Sequence, residues 1–527
     1  MTVDDLSATG ANALSGGKRP LTVDALLQQK NWGHALIDPT GRWLVFERSP
    51  AYDHMPDYGE FSPSGSNPGE IMVIDLTASS MPRLLFTPEP ETLYRILSFS
   101  PDGRCLALYA LRSGRVSLKV YEMPDGPLQT FEQTPELASY DITMVWASQD
   151  EIIYTALPDD YQPQMAAGRY IGNQLYKAWN RSWEGKEPSV TEIASHADGR
   201  TRYVRAGMLV RANCRTGATE QLEQGYFTDL SVSFDRRYLA GLRQVEVLQP
   251  LPDRPVTDDW VRHQLVVVDL KTGRSRLVGP EMYVSPGSIA WSPTTNELGF
   301  FAWKTDAEQQ NGLFYSHDAG LGRIRAWPYD GLDVALGFSY TRPGRKPEKV
   351  AWLGGRLAIF AREYPKKEAT LRSDNRALAG EEKGDWFLLS PEGARLNLTA
   401  KFSAVSPILV SVTSKALYLL ADGDVVRISP DGTKTKLSSI GGLVRANYPV
   451  DPRGIALAAE AQDKSTYIFL DFAGGTERSA TIIAPSEHAR LMDASARAGV
   501  ALFREDTDEG STLLLHNLRG APIKVGR

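Results

Sequence analysis

One turn chemistry, repeated along the chain, limits what these 527 residues can fold into. A short apolar strand runs into Asp/Ser-Pro-x-Gly-Arg or a variant, and a second apolar strand follows. Residues 35–48 read Ala-Leu-Ile-Asp-Pro-Thr-Gly-Arg-Trp-Leu-Val-Phe-Glu-Arg, and residues 97–109 read Leu-Ser-Phe-Ser-Pro-Asp-Gly-Arg-Cys-Leu-Ala-Leu-Tyr. Weaker copies start at Trp146, Val232, Trp291, Val350, Tyr448 and Met492. Such a motif is a tight hairpin. Proline sets φ at the second turn position, the Asp or Ser side chain bonds back to the main chain, and glycine takes the left-handed position. Apolar residues at alternate positions on either side then share one face.

A second hairpin completes each unit. Ile71-Met72-Val73-Ile74-Asp75-Leu76 is one such strand, and Leu265 to Leu270 followed by Lys271-Thr272-Gly273-Arg274 is another. Val425 to Ile428 leads into Ser429-Pro430-Asp431-Gly432-Thr433 in the same way, and Ser390-Pro391-Glu392-Gly393-Ala394 repeats the turn. Two hairpins in roughly 40–60 residues make the four-stranded blade of a propeller. The sequence therefore predicts an all-β fold over residues 21–527. Units beginning near residues 37, 99, 146, 232, 290, 350, 448 and 492 suggest seven or eight four-stranded blades. The gaps 194–231 and 400–447 hold extra hairpins, either as blade extensions or as separate short blades. A short helix around Leu26 and Leu27 precedes the first strand, and residues 1–20, rich in Ser, Gly, Ala and Asp, read as a disordered tail.

Composition narrows the function. A net charge of −6 without any long Lys/Arg run argues against a nucleic-acid or anionic-membrane partner. No stretch approaches the roughly 20 apolar residues of a membrane span. The N-terminus lacks the basic and apolar regions of a secretory signal, so a soluble, cytoplasmic chain is expected as written, or a periplasmic one if translation starts upstream. The two cysteines, Cys105 and Cys214, could form one disulfide at most, and the favoured reading is two unrelated buried thiols. No Gly-x-Ser-x-Gly is present, and Gly337-Phe338-Ser339-Tyr340-Thr341 lacks the second glycine. The seven histidines form no pair at metal-ligand spacing, so neither a metal nor another cofactor is expected. The chain by itself reads as non-catalytic.

Two insertions interrupt the repeat, at residues 49–69 and 158–188. The second carries Tyr161, Tyr170, Tyr176, Trp179 and Trp183, with helical spacing from Gln174 to Trp183. Long loops on a rigid scaffold commonly carry function. In the first, Tyr52, His54, Asp57, Tyr58 and Glu60 form the candidate substrate-binding set. The aromatic faces supply apolar contact, and the carboxylates suit a peptide's amino or guanidinium group. If the two loops share a face, they form the rim of a peptide-sized funnel. In the alternative, Tyr52 and Tyr58 only pin the loop to the first blade.

The repeat, the Leu21-Thr22-Val23-Asp24-Ala25-Leu26-Leu27 segment and the run Pro39 to Arg48 together resemble the N-terminal propeller of the prolyl oligopeptidase family. The likeness is nearest to lasso-peptide isopeptidases, through Ser49 to Phe61, Trp179 to Ile193, and Gly384-Asp385-Trp386-Phe387-Leu388-Leu389 leading to Leu396-Asn397-Leu398-Thr399. The resemblance implies a propeller that selects peptides by size and shape for an α/β-hydrolase domain bearing a Ser/Asp/His triad. No triad residue has a counterpart here, because this sequence stops at Arg527, where that domain is expected to begin. The implied partners are thus a peptide substrate and a hydrolase domain or chain. A stand-alone peptide-binding propeller is the second reading, and a propeller enzyme with its own funnel site the third.

Overall fold

In a computed structural model of the protein, the description covers residues 22–526. It leaves out 52–68, 165–175, 187–203, 248–260, 335–349, 364–383, 446–454 and shorter breaks of six residues or fewer. Residues 1–20, the expected tail, lie outside it. The N-terminal helix is a single turn, Val23–Leu27, and Trp32 belongs to the strand after it, Asn31–Ile37.

The chain then lays down one antiparallel four-stranded sheet after another, in sequence order. The first comprises Asn31–Ile37, Trp43–Ser49, Glu70–Asp75 and Arg83–Leu84. Nine such sheets occur among the described residues, some with an additional short strand. The eight units counted in the sequence become nine because residues 400–447 hold a complete sheet: Val405–Val412, Leu417–Ala421, Asp424–Ile428 and Lys434–Lys436. Its first turn, residues 413–416, has neither proline nor glycine, its second is the two-residue Asp422-Gly423, and its Pro-Asp-Gly falls between the third and fourth strands instead of the first and second. The other gap, 194–231, holds the outer strands of the third sheet, Met208–Asn213 and Thr219–Gln224.

The repeated turn works as its chemistry predicts. Asp38 is buried, and its carboxylate accepts the N–H groups of Thr40, Arg42 and Trp43 at 2.8, 2.7 and 2.6 Å. In the second sheet the Ser100 hydroxyl accepts the Cys105 N–H at 2.9 Å and donates to Asp102 at 2.7 Å. Gly103 takes the left-handed position with φ 77°. The weaker copy at Ser233 keeps the hydroxyl bridge but places Arg236 there, at φ 60°.

Apolar faces between neighbouring sheets form the core. Val45, Ile71 and Tyr94 join the first sheet to the second, and Leu118, Tyr154 and Val210 join the second to the third. The pattern continues round to Phe46, Leu502 and Leu515, which join the first sheet to the ninth, Ala489–Ser495, Val500–Thr507, Gly510–Asn517 and Ile523–Gly526. The sheets therefore close into a β-propeller. Buried large aromatics such as Trp327, Trp352 and Phe314 fill the interface of the fifth and sixth sheets. Among the described residues the first and ninth sheets each use only their own stretch of chain, so side chains and hydrogen bonds close the ring there, without a shared strand.

Candidate functional site

Strand alternation decides which loops share a face. Every Pro-x-Gly turn between a first and second strand lies on one side of the ring, called here the turn face. Every connection from a second to a third strand leaves on the other side, the loop face. Both insertions are second-to-third connections, after Trp43–Ser49 in the first sheet and after Glu151–Leu157 in the third. The stretches after Tyr238–Val247 and Arg356–Glu363 in the fourth and sixth sheets are of the same type. Four long connections thus leave one face.

The candidate residues Tyr52, His54, Asp57, Tyr58 and Glu60 lie outside the described residues. Of the second insertion, residues 176–183 are helical, in keeping with the predicted spacing, and Tyr176, Trp179 and Trp183 are 64%, 75% and 90% exposed. Apolar side chains this exposed, three and four residues apart, present one aromatic face to the surroundings.

What the structure adds is the footing of the loops. At the base of the first, Arg48 donates through Nε and Nη2 to Glu70 Oε2 at 3.0 and 2.5 Å, joining the two strand ends from which the loop departs. Glu136 performs this task for the second. Its carboxylate is wholly buried, Oε1 accepts the N–H groups of Leu137 and Gln164 at 2.9 and 2.5 Å, and Arg205 Nη2 lies 2.9 Å from Oε2. Gln164 stands near the start of the excursion and Arg205 near its return, so one carboxylate holds both ends. The Arg205 guanidinium also covers the Tyr226 ring at 5.2 Å. Burial first, and the Glu136 charge second, push the Tyr226 phenol well above its ordinary range. Tyr109, which donates to the Glu136 carbonyl at 3.4 Å, is raised by the same two causes.

In the sixth sheet, Arg362 donates through Nε and Nη2 to Asp333 Oδ2 at 3.0 and 2.6 Å, both residues buried. In the fourth, Arg262 packs over the rings of Tyr283 and Trp303 at 5.1 and 5.2 Å. Each of the four long loops therefore stands on an arginine held by a carboxylate or by aromatic faces. The Asp333–Arg362 pair is buried, and charged hydrogen bonds so far from water are the costly kind to break.

Between the first and second sheets the loop-face rim has one more buried carboxylate. Glu47 is 0% exposed and accepts the N–H groups of His34 and Ile96 at 2.9 and 2.7 Å. Burial outweighs these bonds and raises its pKa, while burial lowers that of His34. Glu47 thus spans the two sheets as an acceptor for main-chain donors. Glu136, Arg205, Asp333 and Arg362 carry no local motif, and only the fold brings them together.

Among the described residues no cluster of three His, Cys, Asp or Glu side chains is set to hold a metal, and no helix is long and apolar enough to cross a membrane. The cysteine expectation is corrected. Cys105 and Cys214 are free thiols, yet their sulfurs lie 3.4 Å apart, because adjacent sheets bring the two positions to one seam.

No family model matches the sequence, and no curated protein matches it. Solved structures that resemble the fold include a prolyl endopeptidase with 12% identity and a TM-score of 0.39, aligned over 85% of this chain and 54% of its own. The acylaminoacyl peptidase of Pyrococcus horikoshii gives 9% identity and a TM-score of 0.34, over 80% of this chain and 50% of its own. The β-propeller domain of the trilobed protease from Pyrococcus furiosus gives 7% identity and a TM-score of 0.33, over 81% and 95%. This chain spans about half the length of the first two. Scores this low assign nothing to the surface, and the propeller rests on its own nine sheets.

Proposed function

We propose that this propeller selects peptides on its loop face for a serine hydrolase of the prolyl oligopeptidase type, in the manner of lasso-peptide isopeptidases. The hydrolase is a partner domain or chain. The observation that carries this reading is the convergence of four long connections on one face, each standing on an anchored arginine. A rigid footing under long loops suits recognition of irregular ligands. Within it, Tyr52 and Tyr58 supply apolar contact, Asp57 and Glu60 take the peptide's amino or guanidinium groups, and His54 lies between them in sequence. By itself the chain binds and does not hydrolyse.

The test is fluorescence anisotropy with two labelled dodecapeptides, one with a free amino terminus and several arginines, the other acetylated and acidic. The cationic peptide binds at least tenfold more tightly, and Asp57→Ala with Glu60→Ala removes the preference. Equal binding of both peptides, or a double variant that keeps the preference, overturns the reading.

A further inference from the structure

Cys105 and Cys214 are the chain's only cysteines, 109 residues apart in sequence, and their Sγ atoms are 3.4 Å apart. Cys105 opens the second strand of the second sheet, Cys105–Arg112, and Cys214 follows the third strand of the third sheet, Met208–Asn213. Both therefore lie on the turn face, at the seam between two neighbouring sheets and away from the peptide-selecting face.

The contact is held from outside by a second device. Arg104, next to Cys105, donates through Nη2 to Asp150 Oδ1 at 2.5 Å. Arg215, next to Cys214, donates through Nη2 to Asp150 Oδ1 and Oδ2 at 3.0 and 2.9 Å. The Cys214 N–H donates to the Asp150 carbonyl at 2.8 Å. One aspartate in the first turn of the third sheet thus draws both cysteine-bearing segments together.

We infer that Cys105 and Cys214 are a built site for an inter-sheet disulfide, closed by thiol–disulfide exchange with an oxidant of the protein-disulfide or oxidised-glutathione class. Cys214 is half-buried and Cys105 buried, so Cys214 meets the oxidant first. Its thiolate attacks one oxidant sulfur, forming a mixed disulfide and releasing the other sulfur as thiolate. The Cys105 thiolate then attacks Cys214 Sγ, forming the intramolecular bond and expelling the second oxidant sulfur. Two protons leave the cysteines, and two electrons reduce the oxidant disulfide to two thiols. The contact between the two thiols lowers the pKa of Cys214 and raises that of Cys105, which matches these roles. Closure needs only a local approach of the two sulfurs to a bond of about 2.05 Å. Such a link persists in compartments where exchange runs oxidising.

The experiment uses the full chain, equilibrated in oxidised or in reduced glutathione, denatured with N-ethylmaleimide and mapped by mass spectrometry. The oxidised sample yields the two cysteine peptides joined and unalkylated, and the reduced sample yields both alkylated. The oxidised form also melts higher by on the order of 5 °C, because the link closes a long loop. Cys105→Ser and Cys214→Ser each abolish that redox dependence. Asp150→Ala slows closure about tenfold. Both thiols alkylated after oxidation, or a redox-dependent Tm that survives in either serine variant, would overturn the disulfide. An unchanged closure rate in Asp150→Ala would overturn the placing role of Asp150.

Discussion

The main-chain N–H of Ile37, in the first strand of the propeller, donates a 2.7 Å hydrogen bond to the carboxylate of Asp493, in the ninth sheet. Trp32 Nε1 donates to the Ser511 carbonyl at 2.9 Å, and Arg504 Nη1 to the Trp32 carbonyl at 2.9 Å. With no strand shared between the first and ninth sheets among the described residues, these bonds and the apolar seam of Phe46, Leu502 and Leu515 hold the ring shut.

Asp493→Ala therefore destabilises the protein more than its half-exposed position suggests. It strands a donor on a residue only 8% exposed, at a cost of about 1–3 kcal/mol. Urea unfolding measures the loss, and a change under 0.5 kcal/mol would show that the seam closes without this bond.

Glu136→Gln frees the second insertion from its footing. Weakening charge-assisted bonds to Gln164 and Arg205 costs about 1.5 kcal/mol or more locally, so the segment opens roughly ten times as often. Trypsin then cuts at Lys177, Arg181 or Lys186 about tenfold faster than in the parent, while the sheets resist. Equal cutting rates refute the clamp.

Breaking the buried pair under the sixth-sheet loop is costly on one side only. Asp333→Ala leaves the Arg362 guanidinium buried without its carboxylate and destabilises the fold by about 3–5 kcal/mol, whereas Asp333→Leu combined with Arg362→Met costs less. Chemical denaturation of both variants checks this, and a double variant worse than the single contradicts it.

His317 sets a pH dependence. Its ring is buried between the fourth and fifth sheets, and burial, helped by the nearby Arg276 charge, lowers its pKa from 6.5 to about 4. The unfolded chain then binds a proton between pH 6.5 and 4 that the folded chain refuses. The stability from this group is complete above pH 6.5 and is lost as the pH falls towards 4, by about 3 kcal/mol. Glu47, with its pKa raised by burial, acts in the opposite sense, favouring the folded state at low pH. The informative quantity is thus the difference between parent and His317→Leu, whose stability declines less from pH 6.5 to 4. Parallel declines would show that His317 does not titrate this way.

A fluorophosphonate probe labels no serine of the chain above a denatured control, since the sequence holds no Gly-x-Ser-x-Gly. Labelling that requires the folded chain would contradict this and favour a hydrolytic site within the propeller.

Much of the fold was legible in the residues themselves. Asp38 and Ser100 with their following glycines specify hairpins by short-range bonds, and continuous apolar runs such as Trp43 to Phe46 specify strands buried on both faces. Both signals act within a few residues, so the sequence by itself determined an all-β chain of repeated four-stranded units and two of the four places where long loops interrupt them. The extra sheet in residues 400–447 was not counted as a unit because its first turn, residues 413–416, has neither proline nor glycine, with Pro-Asp-Gly moved to the second hairpin.

Tertiary structure alone decided which distant residues meet. Nothing near Glu136 in the sequence points to Arg205, and nothing near Cys105 points to Cys214. Asp493 likewise finds Ile37 only when the ninth sheet returns to the first. Such pairs depend on the direction in which each strand leaves its sheet and on the count of sheets that closes the ring. Those are properties of the whole chain packed on itself, because a buried charge or thiol is satisfied by whatever the closed ring brings within reach.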